Sequence, residues 1–191
     1  MLQRPVSVEP ATAEAIAPFG TLLGPRAAVR PMALDYYAGK VATGRQIDFQ
    51  SDSAVEFSLA RIDRRPFEVR YLERHPGHTQ TFIPLGNKPF LAVFAPPSAG
   101  ELPDLDAVRA FRFEGDTGIS LHRGTWHEFP FAIEDDTHVI VVLSAQTTQD
   151  LQQRAANGIE AFGPDLDKKD ITLRCGVCLT LTGALTDASS S

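Results

Sequence analysis

Leu72-Glu73-Arg74-His75-Pro76-Gly77-His78-Thr79-Gln80-Thr81-Phe82-Ile83-Pro84 decides how this chain is read. Strand-forming residues flank a Pro-Gly turn, and groups that can bind metal or move protons stand on both sides of it. Side chains two apart on a strand share a face, so Glu73 and His75 project together with Tyr71, while Arg70, Leu72 and Arg74 take the other side. Past the turn, Gln80 and Phe82 share one face and Thr79, Thr81 and Ile83 the other. A turn that sets Gln80 opposite His75 makes Glu73, His75 and Gln80 converge on one mouth. A second stretch, Leu121-His122-Arg123-Gly124-Thr125-Trp126-His127, has the same character, with Gly124 permitting a sharp bend. Four of the five histidines fall in these two stretches, which predicts a single polar pocket in a β framework.

The flanking sequence supports that framework. Residues 55–62 and 67–72 alternate apolar and polar positions, the period of a half-buried strand. Further strand-sized runs follow at 79–84, 90–95, 108–113, 118–121 and 139–143, with another expected at 36–41. Pro76-Gly77, Gly86-Asn87, Pro96-Pro97, Gly115-Asp116 and Glu134-Asp135-Asp136 punctuate them. Many short strands at this spacing predict an all-β-dominated barrel or sandwich with a cavity. Short helices are expected at residues 12–18, capped by Thr12, and at 147–157, with Asp150, Gln153 and Arg154 on the polar side and Gly158 as the stop. Residues 171–181 read as a strand with a bulge at Gly176, which makes Cys175 and Cys178 structural rather than a redox pair. Residues 187–191 read as a frayed tail.

With 191 residues, 43% hydrophobic and 22% charged, the chain can build one substantial core. The net charge of −6, with no basic tract, argues against a nucleic-acid partner. No apolar run approaches the length of a membrane span and the first residues lack a secretory pattern, so a cytoplasmic location is expected.

The layout is similar to the cupin pattern, a small antiparallel β-barrel (double-stranded β-helix) in which two motifs bring His, His, Glu and His together. Glu73, His75 and Gln80, followed by Gly86, occupy the first motif's slots, and Gly124-Thr125-Trp126-His127 the second's. Glutamate replaces the first histidine and glutamine the usual glutamate. More closely, Leu72-Glu73-Arg74-His75-Pro76, Thr79-Gln80, Phe82-Ile83-Pro84, Arg109-Ala110-Phe111, Gly118, His122-Arg123, Trp126-His127 and the opening helix ending in Phe19-Gly20 resemble the ureidoglycolate lyase family over residues 6–146. The resemblance implies a dimeric cupin acting as a carbon–nitrogen lyase, splitting ureidoglycolate to glyoxylate and urea in allantoin (purine) breakdown. Two other readings stand beside it: a same-fold enzyme acting on another small hydroxy or oxo acid, and a non-catalytic small-molecule-binding cupin.

Under the resemblance, Glu73, His75 and His127 hold one divalent metal or form the acid/base set, with His122 as a further catalytic candidate at the mouth. Arg123 is the first candidate to clamp the substrate carboxylate, because a guanidinium offers two parallel hydrogen bonds, and Lys40 is the second. Gln80 would bond the substrate, while Trp126 and Phe82 would form its apolar wall. His78 is expected to be a surface turn residue and His138 a solvated one. No organic cofactor is implied. The chain departs from the family at Glu128, where a second histidine is usual, and at Leu143-Ser144-Ala145-Gln146, where Asp-Arg-Gly-Gly is common. Residues 1–163 are expected to form the barrel domain, and 164–191 an extension bearing an added strand and a disordered tail.

Overall fold

The computed structural model describes residues 2–33, 37–154 and 160–183. The chain runs through β1 (Leu2–Pro10), α1 (Ala13–Ile16), β2 (Gly20–Leu23), β3 (Arg30–Met32), β4 (Thr43–Arg45), β5 (Val55–Ile62), β6 (Glu68–Val69), β7 (Tyr71–Arg74), β8 (Thr81–Leu85) and β9 (Asn87–Ala95). It continues through β10 (Arg109–Gly115), β11 (Gly118–Leu121), β12 (Trp126–His127), β13 (Phe131–Ala132), β14 (Thr137–Ser144), α2 (Ala145–Arg154), β15 (Ala161–Gly163), β16 (Leu166–Asp170), α3 (Ile171–Cys175) and β17 (Val177–Thr182). The larger sheet has the order β15-β16-β7-β12-β9-β10-β1-β17-β6, with β13 also on β9, and the smaller is β2-β11-β8-β14-β5. Gly86 and Asn87, both at positive φ, carry the chain from one sheet to the other. None of the helices among the described residues is long and apolar enough to cross a membrane.

Strand alternation builds two cores. Phe90, Ala92 and Phe94 of β9 face Phe82, Val139 and Val141 of the smaller sheet, joined by Phe19, Phe111 and Phe113. The rings interlock, Phe90 stacking on Phe113 at 4.9 Å and Phe19 meeting Phe111 edge-on at 5.6 Å. The intervening residues Leu91, Val93 and Ala95 point the other way, against Trp126, Ile171, Leu179 and Leu181. Both faces of β9 are thus covered, and the two sheets make a cupin-like curled half-barrel with few helices.

Local departures from the sequence reading have identifiable causes. β1 went unread: two prolines interrupt its alternation, yet it pairs in parallel with both β10 and β17. Tyr37–Gly39 is a 3-10 turn, because Tyr37, Ala38 and Gly39 all take positive φ and cannot lie in a strand. Thr12 does cap α1, accepting from the Ala15 N–H at 3.2 Å. Residues 171–181 are not one strand. Asp170 caps α3 through the Leu173 N–H at 2.9 Å, and Gly176 ends it at φ 69° before β17 begins. Asp150 is buried rather than on a polar face, and Gly158 and residues 187–191 lie outside the described residues.

Residues 164–183 are continuous with the barrel. β16 pairs with β7 and β17 with β1, so the described part of the expected extension forms interior strands of the larger sheet.

Candidate active site

β12 joins the two histidine-bearing stretches. His127 stands opposite Glu73 in the β7–β12 ladder, and the Gly124 N–H donates to the His75 carbonyl at 2.8 Å. Gly124 holds φ 78°, the left-handed conformation that bends the second stretch into place. The Nε2 atoms of His75 and His127 each lie 3.8 Å from Glu73 Oε1, and the two rings are 5.2 Å apart. Phe82 closes the apolar side, its ring 6.0 Å from that of His127. Gln80, two residues before Phe82, is buried with Oε1 lacking a hydrogen-bond partner.

The outward nitrogens of both rings are committed. His75 Nδ1 lies 2.8 Å from the Asp165 carbonyl and His127 Nδ1 3.0 Å from the Thr125 carbonyl. A carbonyl only accepts, so both Nδ1 atoms carry hydrogen. Burial pushes the His75 imidazole below its ordinary value against the pull of Glu73, and pushes His127 down to about 4, helped by His75. Both rings are therefore neutral at pH 7, with bare Nε2 lone pairs. Burial opposes ionisation of Glu73, but Lys168, with Nζ 3.4 Å from Oε2, and the two imidazoles hold its carboxyl below the usual range.

This is the state a divalent cation requires: two neutral imidazoles and one carboxylate, each offering a ligand atom within 4.8 Å of the others. Their Nε2 atoms are buried without partners, and second-layer carbonyls fix the tautomer, as is usual behind metal-bound histidines. Glu73, His75 and His127 thus fit a metal. In the other close group, His75, His78 and Asp165, both Nδ1 atoms already bond to Asp165, His75 to its backbone carbonyl and His78 to its carboxylate.

The remaining sequence candidates lie elsewhere. His122 is exposed and donates from Nε2 to the Ala17 carbonyl at 3.2 Å. Arg123 forms a two-pronged pair with exposed Asp52 at 2.9 and 3.0 Å. Lys40 is exposed in the loop before β4. Trp126 alternates away from His127 into the second core, its Nε1–H donating to Ser98 Oγ at 2.9 Å. A cleft of about 650 Å³ lined by Arg74, Pro76, Arg123 and Asp167 flanks the opposite face of β7. His138 is partly exposed, 3.7 Å from Asp136.

Three residues were missed or misplaced by the sequence reading, and a fourth, Glu128, entered it without a role. His78 is fully buried, not a surface turn residue, with Nδ1 2.9 Å from Asp165 Oδ2. Asp165 and Lys168 come from the segment read as an appendage. Glu128, next to His127 in sequence and with its side chain only 15% exposed, is pushed up to about 7 by burial and by Glu73, against Arg65 and Lys168. Only Glu128 left a signal, as a departure from the family pattern.

The family model "Ureidoglycolate lyase" matches residues 3–160. Curated ureidoglycolate lyases include one from Stutzerimonas stutzeri A1501, 35% identical over 73% of this chain and 82% of that protein. Another, from Pseudomonas entomophila L48, is 37% identical over 73% of this chain and 84% of its own length. A dTDP sugar isomerase structure from Desulfovibrio desulfuricans G20 is 18% identical, with a TM-score of 0.34 over 65% of this chain and 76% of that one. With the family model spanning most of the barrel and two such relatives aligned along most of their own lengths, this chain belongs to the ureidoglycolate lyase family.

Proposed function

We propose that this protein is a lyase that splits ureidoglycolate into glyoxylate and urea, with the reaction centred on Glu73, His75 and His127. The observation that carries this reading is the convergence of those three side chains, bare ligand atoms inward, in a chain of this family. Ureidoglycolate has a hydroxyl and a urea nitrogen on one carbon, beside a carboxylate. Cleavage removes the hydroxyl proton, turns that C–O bond into a carbonyl, breaks the C–N bond and returns a proton to the departing urea nitrogen.

The residues supply each part. Without a bound ion, a neutral Nε2 on His75 or His127 accepts the hydroxyl proton, a role worth about 10²–10⁴-fold for a positioned base. Glu128, with its pKa near 7, carries a proton for the urea nitrogen. Lys168, which pairs with Glu73 beside the site, offers the positive charge for the substrate carboxylate, in place of Arg123, whose pair with exposed Asp52 lies away from the three side chains. Gln80 Oε1 accepts from a substrate N–H or hydroxyl. Glu73, Glu128 and Lys168 have side chains 11%, 15% and 27% exposed, so in this reading the substrate approaches along that rim. A divalent ion held by Glu73, His75 and His127 would occupy those Nε2 lone pairs and would instead promote loss of the hydroxyl proton by lowering its pKa.

The same reading includes a homodimer. Leu59, Ile140 and Ile83 form one cross-strand row over β5, β14 and β8, and Phe57 stands two residues along. Phe57 and Leu59 are 74% and 64% exposed on an edge strand. A second copy covering this face would shield both the apolar row and the open edge. Free thiols at Cys175 and Cys178 support a reducing, cytoplasmic setting.

The test is incubation of the purified protein with ureidoglycolate, with and without Mn²⁺, Ni²⁺ or Zn²⁺, following glyoxylate. Release that disappears in His127→Ala supports the reading. Absence of turnover in every metal condition overturns it.

A further inference from the structure

Asp165 sits in the turn between β15 and β16, beyond residues 3–160 that the family model matches. From there it reaches both imidazoles on the β7 side of the site. We propose that Asp165 is a positioning residue that fixes two histidines at once, His75 through its backbone carbonyl and His78 through its carboxylate, and that His78 is thereby part of the site's architecture. The inference rests on the reading of the site given above.

The contacts leave Asp165 little freedom. Its carbonyl accepts from His75 Nδ1 at 2.8 Å and its Oδ2 from His78 Nδ1 at 2.9 Å. Oδ1 accepts from the Gly77 N–H at 2.6 Å, while the Ser144 hydroxyl and Thr147 Oγ1 reach Oδ2. Its own N–H donates to Asp150 Oδ2 at 2.8 Å. Gly77 is required here, since a Cβ would stand 2.8 Å from Asp165 Oδ1.

The consequence for the histidines is directional. A carboxylate that accepts at Nδ1 keeps hydrogen on that nitrogen and turns Nε2 to the other side of the ring. His78 Nε2 is buried with no hydrogen-bond partner, like the Nε2 atoms of His75 and His127. The His78 ring lies 4.9 Å from that of His75, tilted by 37°, and braces its plane. Ser144 belongs to this arrangement too, its hydroxyl reaching Asp165 Oδ2 and Thr147 Oγ1.

The experiment is Asp165→Asn, read by long-range ¹⁵N–¹H correlation of the histidine rings in metal-free protein, by Mn²⁺ affinity and by kcat. An amide cannot accept on both sides, so His78 passes from its Nδ1–H to its Nε2–H form and the His75 ring signals shift. Mn²⁺ affinity and kcat fall about 10–100-fold with KM changed less than about threefold, the range seen when such supporting partners are removed. Ser144→Ala, which spares both rings, gives smaller shifts in the same direction, and it decides the matter should Asp165→Asn fail to fold. Wild-type His78 found as the Nε2–H form, or His75 signals unmoved in a folded Asp165→Asn or in Ser144→Ala, overturns the inference. The ring signals are read without substrate, so altered tautomers in a protein that never cleaves ureidoglycolate would keep this inference while removing the proposed function.

Discussion

His127 and Glu73 face each other across a single rung of the β7–β12 ladder, and that rung brings the two histidine-bearing stretches into one site. A two-residue strand suffices because the Gly124 N–H holds the His75 carbonyl just before it. Replacing either partner should therefore remove chemistry while sparing the fold. His127→Ala and Glu73→Gln are each expected to lower kcat by about 10²–10⁴-fold, with unchanged far-ultraviolet circular dichroism. Activity within about threefold of wild type in both would exclude these residues from the reaction.

Divalent ions should stabilise the protein through the same three side chains. Bound to the native state alone, an ion at one hundred times its Kd adds about 2.7 kcal/mol. Thermal melts of chelator-treated protein should rise with Mn²⁺ or Zn²⁺, and the rise should vanish in His75→Ala. An equal shift in that variant would place the ion elsewhere.

Glu128 sets a pH dependence whose sign is fixed. Its folded pKa of about 7 stands above the ordinary 4.5, so the unfolded chain releases this proton first. Stability from this group is intact below about pH 4.5, is lost as pH rises towards 7, and is constant beyond. Glu128→Gln cannot ionise. In metal-free protein its difference from wild type should be smallest near pH 4 and grow in favour of the variant by pH 8, by at most about 3 kcal/mol. Urea unfolding at the two pH values measures the difference, and equal offsets at both would show that Glu128 ionises freely in the native state.

The exposed row on the smaller sheet predicts self-association. Phe57→Asp places a charge amid Leu59, Ile140 and Ile83, and should convert a dimer to a monomer in light scattering without loss of secondary structure. A wild-type protein that is monomeric at tens of micromolar would refute this face as an interface.

How much of this was legible in the sequence depended on distance along the chain. Strand parity around Pro76-Gly77 placed Glu73 and His75 on one face because period-two alternation is a local property. The barrel followed from short strands and turn residues for the same reason. Asp165 and Lys168 were not legible, since their relation to His75 and Glu73 exists only through β16 pairing with β7. His78 misled because a polar residue after Pro-Gly reads as surface until a distant carboxylate is known to cover it. Arg123 and Lys40 failed to join the cluster for a complementary reason: Asp52 neutralises the first, and solvent surrounds the second. β1 was hidden by Pro5 and Pro10, whose edges are nonetheless accommodated in parallel pairing.

Trp126 supplies a control that separates core from chemistry. It neighbours His127 in sequence but lies on the opposite face of β12, fully buried, with Arg74 stacked 4.3 Å over its ring and Nε1–H bonded to Ser98. Trp126→Phe loses that hydrogen bond and part of the ring, which should cost about 1–3 kcal/mol, seen as a lower urea midpoint. Because the ring points away from Glu73 and both imidazoles, kcat and KM of the folded variant should stay within about twofold of wild type. A selective rise in KM with unchanged stability would instead put Trp126 in the wall of the substrate pocket, and with it move the pocket to the other side of the strand.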